Sequence, residues 1–207
     1  MKKGLFITLE GIEGAGKSTA ADFIEDFLIK EGHDVIKTRE PGGTIIGEQI
    51  REILLNNENH TLTHDTELLL IFSARSQHIQ EVILPALSSG KIILCDRFTD
   101  ASYAYQGGGR GIDASRINLL EKWVQEDLRP NLTLLFDLDV SISIQRTKKR
   151  SDADRFEREE INFFEKIRNT YLERAKNEPQ RFRIINSASS FERVKEQIVA
   201  ILKDFLC

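Results

Sequence analysis

Apolar positions along the chain follow two periods. Short apolar runs bounded by charged or turn residues predict strands at Leu5 to Leu9, Asp34 to Thr38, Lys91 to Cys95, Leu132 to Asp137 and Arg181 to Ile185. Between them, apolar residues recur every three or four positions and predict amphipathic helices. These helices cover Thr19 to Lys30, Ile46 to Leu55, Thr99 to Tyr105, Asp113 to Gln125, Val140 to about Lys148, Phe156 to Lys176 and Phe191 to Leu206. A further helix starts at Asp65, the expected N-cap, carries the stripe Leu68, Leu69, Phe72, Ile79, Val82 and Ile83, and ends at Ser88-Ser89-Gly90. Gly107-Gly108-Gly109 is expected to stop the Thr99 helix.

Strands that alternate with helices predict an α/β fold: a three-layer sandwich whose five-stranded parallel sheet has helices on both faces. Ligands in such sheets gather at the carboxyl ends of the strands. The predicted ends carry Gly11, Arg39, Asp96 with Arg97, and Asp137 with Asp139, so chemistry-bearing residues converge on one rim.

The first of these ends is the most specific. Gly11-Ile12-Glu13-Gly14-Ala15-Gly16-Lys17-Ser18 has the spacing G-x-x-x-x-G-K-S between a strand and a helix that starts at Thr19, which is the phosphate-binding loop of P-loop NTPases. Its glycines let successive N–H groups turn inward as an anion nest, and the helix N-terminus adds its dipole. Lys17 is suited to the β- and γ-phosphates of ATP, and Ser18 to Mg²⁺. Asp96, directly after an apolar strand, is the expected carboxylate for the metal or its waters, and Arg97 beside it offers a planar fork to a phosphate. Phe72 and Arg75 are three apart and share a helix face, an arrangement suited to a stacked base with a carbonyl to bond. The charge run from Arg146 to Arg155 interrupts a helical pattern and reads as a basic lid over the transferred group.

Composition narrows the class. The chain has 207 residues, 40% apolar and 30% charged, which suits one domain over 1–207 with a lid segment at about 146–157. A net charge of −4 argues against broad nucleic-acid binding, so a phosphorylated substrate has to be met by local basic clusters. No run approaches the roughly 18 apolar residues of a membrane span. Cys95 lies in an apolar strand and Cys207 is the last residue, with no metal or disulfide spacing, so a reducing cytoplasm is expected. His60 and His64 fall in a polar stretch and are expected at the surface. On these residues alone the chain is a phosphotransferase for some nucleotide, or a nucleotide-dependent switch; a guanine-reading N-K-x-D segment is not in the sequence.

Five segments together resemble the thymidylate kinase family over nearly the whole chain: Glu10 to Thr19, Thr38-Arg39-Glu40-Pro41-Gly42-Gly43-Thr44, Asp96-Arg97-Phe98, Ala104-Tyr105-Gln106-Gly107-Gly108-Gly109-Arg110-Gly111, and Asp154-Arg155. The resemblance implies ATP-dependent phosphorylation of dTMP to dTDP, with Mg²⁺, in a homodimer. It implies that the loop from Gly11 to Thr19 (Gly11, Ile12, Glu13, Gly14, Ala15, Gly16, Lys17, Ser18 and Thr19) binds ATP, with Glu13 also facing the acceptor. Arg97 and Arg51 are implied to hold the dTMP phosphate, Arg75 a thymine carbonyl, and Ser102 and Gln106 the base and sugar. Tyr105 is implied to crowd the C2′ position, and Glu40 is placed on the acceptor side. Arg150, with Arg146 and Arg155, is implied to form the lid over ATP, and the loop at Asn186-Ser187-Ala188 to touch adenine. Lys17, Arg97, Arg150 and Glu13 are thus the expected catalytic residues.

The chain departs from the family pattern twice. Some members carry an arginine in the phosphate loop directly after the acidic residue, where this chain has Gly14, so its lid arginines resemble a bacterial subtype. Many members place the stacking aromatic four residues before the thymine-binding arginine, which here is Ile71, and one residue is about 100° of helix rotation. Phe72 is nevertheless the expected aromatic.

Overall fold

A computed structural model describes residues 4–147 and 154–206. They form one parallel sheet in the order β2-β3-β1-β4-β5, from β1 (Leu5–Glu10), β2 (Val35–Arg39), β3 (Ile92–Asp96), β4 (Leu132–Asp137) and β5 (Phe182–Asn186). The helices are α1 (Lys17–Lys30), α2 (Ile45–Leu55), α3 (His64–His78), α4 (Leu84–Ser88), α5 (Thr99–Ser102), α6 (Ala114–Gln125), α7 (Val140–Thr147), α8 (Ile161–Asn177) and α9 (Phe191–Leu206). The expected α/β sandwich is therefore the observed one.

Side chains of a strand point alternately to opposite faces, and the central strands are apolar on both. Phe6, Ile93 and Cys95 pack on Ile79, Ile83 and Ala86 behind α3 and α4. Ile7, Leu9 and Leu94 lie in the larger core with Ala20, Ile24 and Leu28 of α1 and Ile198 and Leu202 of α9. The register aligns Leu9, Asp96 and Arg39 across three strands, so their carboxyl ends form a level rim.

Four expectations about the helices change. Thr63, not Asp65, caps α3: its Oγ1 accepts from Thr66 N at 3.2 Å. Leu69 is exposed and leaves the apolar stripe, because it turns one step past Leu68. The three glycines do not stop the Thr99 helix; a π-helical turn carries it from Tyr103 through Gly109. A Cβ on Gly108 would lie 2.1 Å from Thr170 Oγ1 and one on Gly109 2.5 Å from the Phe163 ring, so glycine lets this turn pack against α8. Finally, α8 begins at Ile161 rather than Phe156, since Asp154 Oδ1 accepts from both Phe156 N and Glu157 N and holds a turn there.

Candidate functional site

The loop after β1 curls through three left-handed or extended glycine conformations, Gly11 at φ 136°, Gly14 at 71° and Gly16 at 84°. At Gly11 a Cβ would come within 2.5 Å of Phe136 O, so only glycine fits beside β4. The side chains of Ile12 and Ala15 are buried in the core, leaving the loop its main chain to offer. Lys17 Nζ donates to Gly11 O and Ile12 O, both at 3.0 Å. Burial, with Arg97 next, pushes the Lys17 ammonium down to about 8 against the pull of Asp96 and Glu13.

Lys17 and Ser18 open onto a cavity of ≈ 300 Å³ whose far wall carries Arg51, Arg75, Arg97, Ser102 and Tyr105. The loop and the rim thus share one space. Asp96 ends β3 within it, and its Oδ1 is buried without a hydrogen-bond partner among the described residues. One hydroxyl and one unpartnered carboxylate are hard oxygen donors, a set that suits Mg²⁺ completed by phosphate oxygens and water. They fit that ion better than a transition metal, and no cluster of three His, Cys, Asp or Glu side chains occurs among the described residues.

Arg97 is the most constrained residue of the rim. It holds φ 70° without being glycine, a backbone strain that surrounding contacts must sustain. Its Nη1 donates to Gly11 O at 3.0 Å and to Tyr171 Oη at 3.2 Å, and its Nη2 to Glu13 Oε1 at 2.8 Å. The same Glu13 oxygen accepts from the Tyr105 hydroxyl at 2.6 Å, and the guanidinium lies 4.6 Å from the Tyr105 ring centre. Glu13 therefore reaches the far wall from the phosphate loop. Burial raises the Tyr105 phenol well above its ordinary value, so it stays a donor.

Behind this wall Glu10 Oε1 accepts from Phe98 N at 2.7 Å and its Oε2 from Tyr171 Oη at 2.8 Å. Burial and the charge of Asp100 push the Glu10 carboxyl up to about 8, with Arg97 and the two hydrogen bonds opposing.

Arg75 is 1% exposed and fixed on two sides. Its Nε donates to Glu40 Oε2 at 2.6 Å, and its Nη2 to Phe98 O at 3.1 Å and Ser102 Oγ at 3.0 Å. Nη1 has no partner among the described residues. Arg51 Nη1 donates to Pro41 O at 3.0 Å, and burial together with Arg39 lowers its pKa. Arg39 itself pairs with Glu48 at 2.8 Å in solvent and does not line the cavity. Gln106 lines it while donating to the buried Glu67 at 2.8 Å.

Two expected site residues lie elsewhere. Phe72 is 2% exposed among Leu68, Ile112 and Ile117, and Ile71 lines the cavity in its place. The helix is simply rotated by one position, and Phe72 serves Arg75 from the core side, 4.6 Å from its guanidinium carbon. Arg155 does not reach the phosphate loop. It donates to Leu54 O at 2.9 Å and to Glu67 Oε2 at 2.6 Å, because a fully buried carboxylate requires cations around it. Arg146 does reach the loop, donating to Gly14 O and Ser187 O, each at 3.2 Å. Arg150 lies outside the described residues. His60 and His64 are exposed, and Cys95 is buried. Asp137 and Asp139 are tied to Arg168 at 2.7 and 3.3 Å rather than joining the cavity.

Sequence reasoning missed His78, Glu67 and Tyr171, all buried behind the wall. His78 follows Arg75 by three residues on one helix, a spacing that does place both on one face.

The thymidylate kinase family model matches residues 9–198. Thymidylate kinases from Pseudomonas putida (strain F1) and Pseudomonas syringae pv. tomato are each 54% identical over 98% of this chain and 97% of their own. The crystal structure of thymidylate kinase from Ehrlichia chaffeensis has a TM-score of 0.80 and 32% identity, covering 97% of this chain and 99% of that one. No helix among the described residues is long and apolar enough to cross a membrane.

Proposed function

The chain belongs to the thymidylate kinase family, and from that membership we infer that it transfers the γ-phosphoryl group of ATP to dTMP, giving ADP and dTDP. The observation that supports a two-substrate reaction most directly is the shared cavity: Lys17 and Ser18 stand on one side of it, Arg97, Arg75 and Tyr105 on the other.

The acceptor is a phosphate oxygen that is already ionised at neutral pH, so no general base is needed. Catalysis is then positioning and charge neutralisation. The main-chain N–H groups from Glu13 to Thr19 cradle the ATP phosphates, and Lys17 exchanges its two carbonyl partners for phosphate oxygens. Arg97 and Arg51 hold the acceptor phosphate, with Glu13 fixing the Arg97 fork. Arg75 Nη1, a donor without a partner among the described residues on an otherwise engaged guanidinium, meets a carbonyl of the base. Ser102 and Gln106 line the base and sugar pocket, and Tyr105 stands against the C2′ position. Arg146 covers the donor side from α7 and helps exclude water; Arg150, the other expected lid residue, lies outside the described residues. Ser18 and Asp96 are the residues that would hold Mg²⁺. When bound, that ion would supply charge neutralisation to the phosphates.

We assign a homodimer paired through α3 and α6. Leu69 of α3 and Leu119 and Trp123 of α6 are exposed by 54%, 68% and 78%, and these two helices pack together. Light scattering at micromolar concentration gives twice the chain mass if this holds. A cytoplasmic location accords with the substrates.

ADP release coupled to a chromogenic reaction, with dTMP against dUMP, dCMP, dAMP and dGMP, tests the function. dTMP should give by far the largest kcat/KM. Slow ATP turnover that no monophosphate stimulates would favour a nucleotide-dependent switch, and preference for another monophosphate a different kinase.

A further inference from the structure

His78 closes α3 with its side chain fully buried. Both of its ring nitrogens are engaged. Nε2 meets Thr38 Oγ1 at 2.7 Å, and Nδ1 meets Glu40 Oε1 at 2.9 Å. The other oxygen of Glu40 holds Arg75 Nε at 2.6 Å. An ionised carboxylate only accepts, so Nδ1 donates to it, and in the neutral ring Nε2 then accepts the Thr38 hydroxyl proton.

The result is one buried chain, Thr38–His78–Glu40–Arg75, running from β2 through the end of α3 to the wall of the cavity. Two of the three nitrogens of Arg75 are engaged, Nε by Glu40 and Nη2 by Phe98 O and Ser102, while Nη1 has no partner among the described residues. Glu40 fixes the rotation of the guanidinium, and hence where Nη1 points. Its own orientation is fixed by His78.

The loop closes over the same ring. Gly43 stands at φ 78°, and a Cβ there would lie 2.7 Å from His78 Nε2 and 2.6 Å from Thr38 Oγ1. The turn that carries Glu40 is thus pressed onto the imidazole, which leaves the ring little freedom to move.

We propose that His78 is a positioning residue for the acceptor base: it orients Glu40, and through it the Nη1 donor of Arg75, without touching either substrate. This rests on the reading that Arg75 meets the base of dTMP. It separates His78 from a merely structural core histidine, whose loss would weaken the fold and both substrate sites together.

Three variants of the whole protein test it, read by steady-state kinetics with each substrate varied in turn and by thermal unfolding. Arg75→Ala tests the underlying reading, and should raise the KM for dTMP while leaving that for ATP unchanged. His78→Leu keeps apolar volume and removes both hydrogen bonds. It should raise the KM for dTMP about tenfold, with the KM for ATP within twofold of the parent. His78→Asn places an amide near the Nδ1 position, keeps the bond to Glu40, and should restore most of the dTMP KM. Should His78→Leu not accumulate as folded protein, His78→Gln takes its place, since its longer amide serves Thr38 and not Glu40. An unchanged dTMP KM in His78→Leu or His78→Gln, a parallel rise for both substrates, or His78→Asn as impaired as the others would overturn the proposal. If Arg75→Ala itself leaves the dTMP KM unchanged, it is the reading of Arg75 that fails.

Discussion

Arg97 and Tyr105 converge on a single oxygen. The guanidinium lies over the phenol ring, and both groups donate to Glu13 Oε1, at 2.8 and 2.6 Å. A residue of the phosphate loop is thereby clamped to the acceptor wall by two residues from the opposite rim. The two sites cannot shift independently without breaking a charge-assisted bond in a partly buried setting.

Removing either partner should have very different consequences. Arg97→Ala deletes the cation expected on the acceptor phosphate, and kcat/KM for dTMP should fall by about a thousandfold or more. Tyr105→Phe keeps the ring under Arg97 and loses one hydrogen bond, about 1 kcal/mol or less than tenfold. Steady-state kinetics on the two variants decides it: near-normal turnover in Arg97→Ala removes Arg97 from the mechanism.

Lys17 gives a pH dependence with a defined sign. In the free protein its ammonium titrates at about 8, against 10.5 for an unperturbed lysine. Phosphates beside it raise that value again, so ATP binding takes up a proton between pH of about 8 and 10.5. ATP affinity should be full below pH 8 and decline above it. Stability of the free protein should move the other way across that window, since the unfolded chain binds the extra proton there. Calorimetric titration of ATP in buffers of different ionisation enthalpy measures the uptake. A proton count at pH 9 equal in Lys17→Met and the parent would exclude Lys17 as its source.

Ile71, at the position where many members of the family carry the stacking aromatic, lines the cavity, and Phe72 is in the core. Ile71→Ala should raise the KM for dTMP and, because Ile71 is largely buried, also lower stability by about 2 kcal/mol. Phe72→Leu should lower stability by about 1 kcal/mol with a smaller effect on dTMP, because the apolar support beneath Arg75 persists. Paired thermal melts and kinetics would expose the reverse ordering.

That placement shows which information the sequence carries. The alternation of β and α elements, the loop at Gly11 to Ser18 and the strand ends at Asp96 and Arg97 follow from local patterns, and the structure has them. Which side of a helix faces a cavity depends on a rotation of about 100° per residue, and Leu68, Ile71 and Phe72 are all apolar enough for any of them to be core. The three glycines before Arg110 carry a turn signal, but close contact with Phe163 and Thr170 of α8 makes them a packing surface. Arg155 reads as one more lid cation. Only the tertiary position of Glu67, 88 residues earlier, shows which carboxylate it serves. His78 is invisible for the same reason: its partners Thr38 and Glu40 lie 40 and 38 residues away.

Gly14 and Arg146 supply the last prediction. Gly14 sits at φ 71°, where a side chain is strained by about 1–2 kcal/mol, and an added Cβ would lie 3.0 Å from Ser143 O and 3.4 Å from Arg146 Cβ. Arg146 occupies that side of the loop from α7 and donates to Gly14 O. Arg146→Ala, at an exposed position, should leave stability within about 0.5 kcal/mol while raising the KM for ATP. Gly14→Ala should lower stability by the backbone strain. In Gly14→Arg combined with Arg146→Ala, Ser143 O and the Cβ at position 146 both remain, so the obstruction that blocks a side chain at Gly14 remains too. The double variant should therefore be as destabilised as Gly14→Ala and should not recover ATP affinity. Thermal unfolding with ATP titration checks both. Recovery of parental affinity in the double variant would mean that the cation is freely exchangeable between loop and helix, and that the close approach of α7 to the loop does not fix where it comes from.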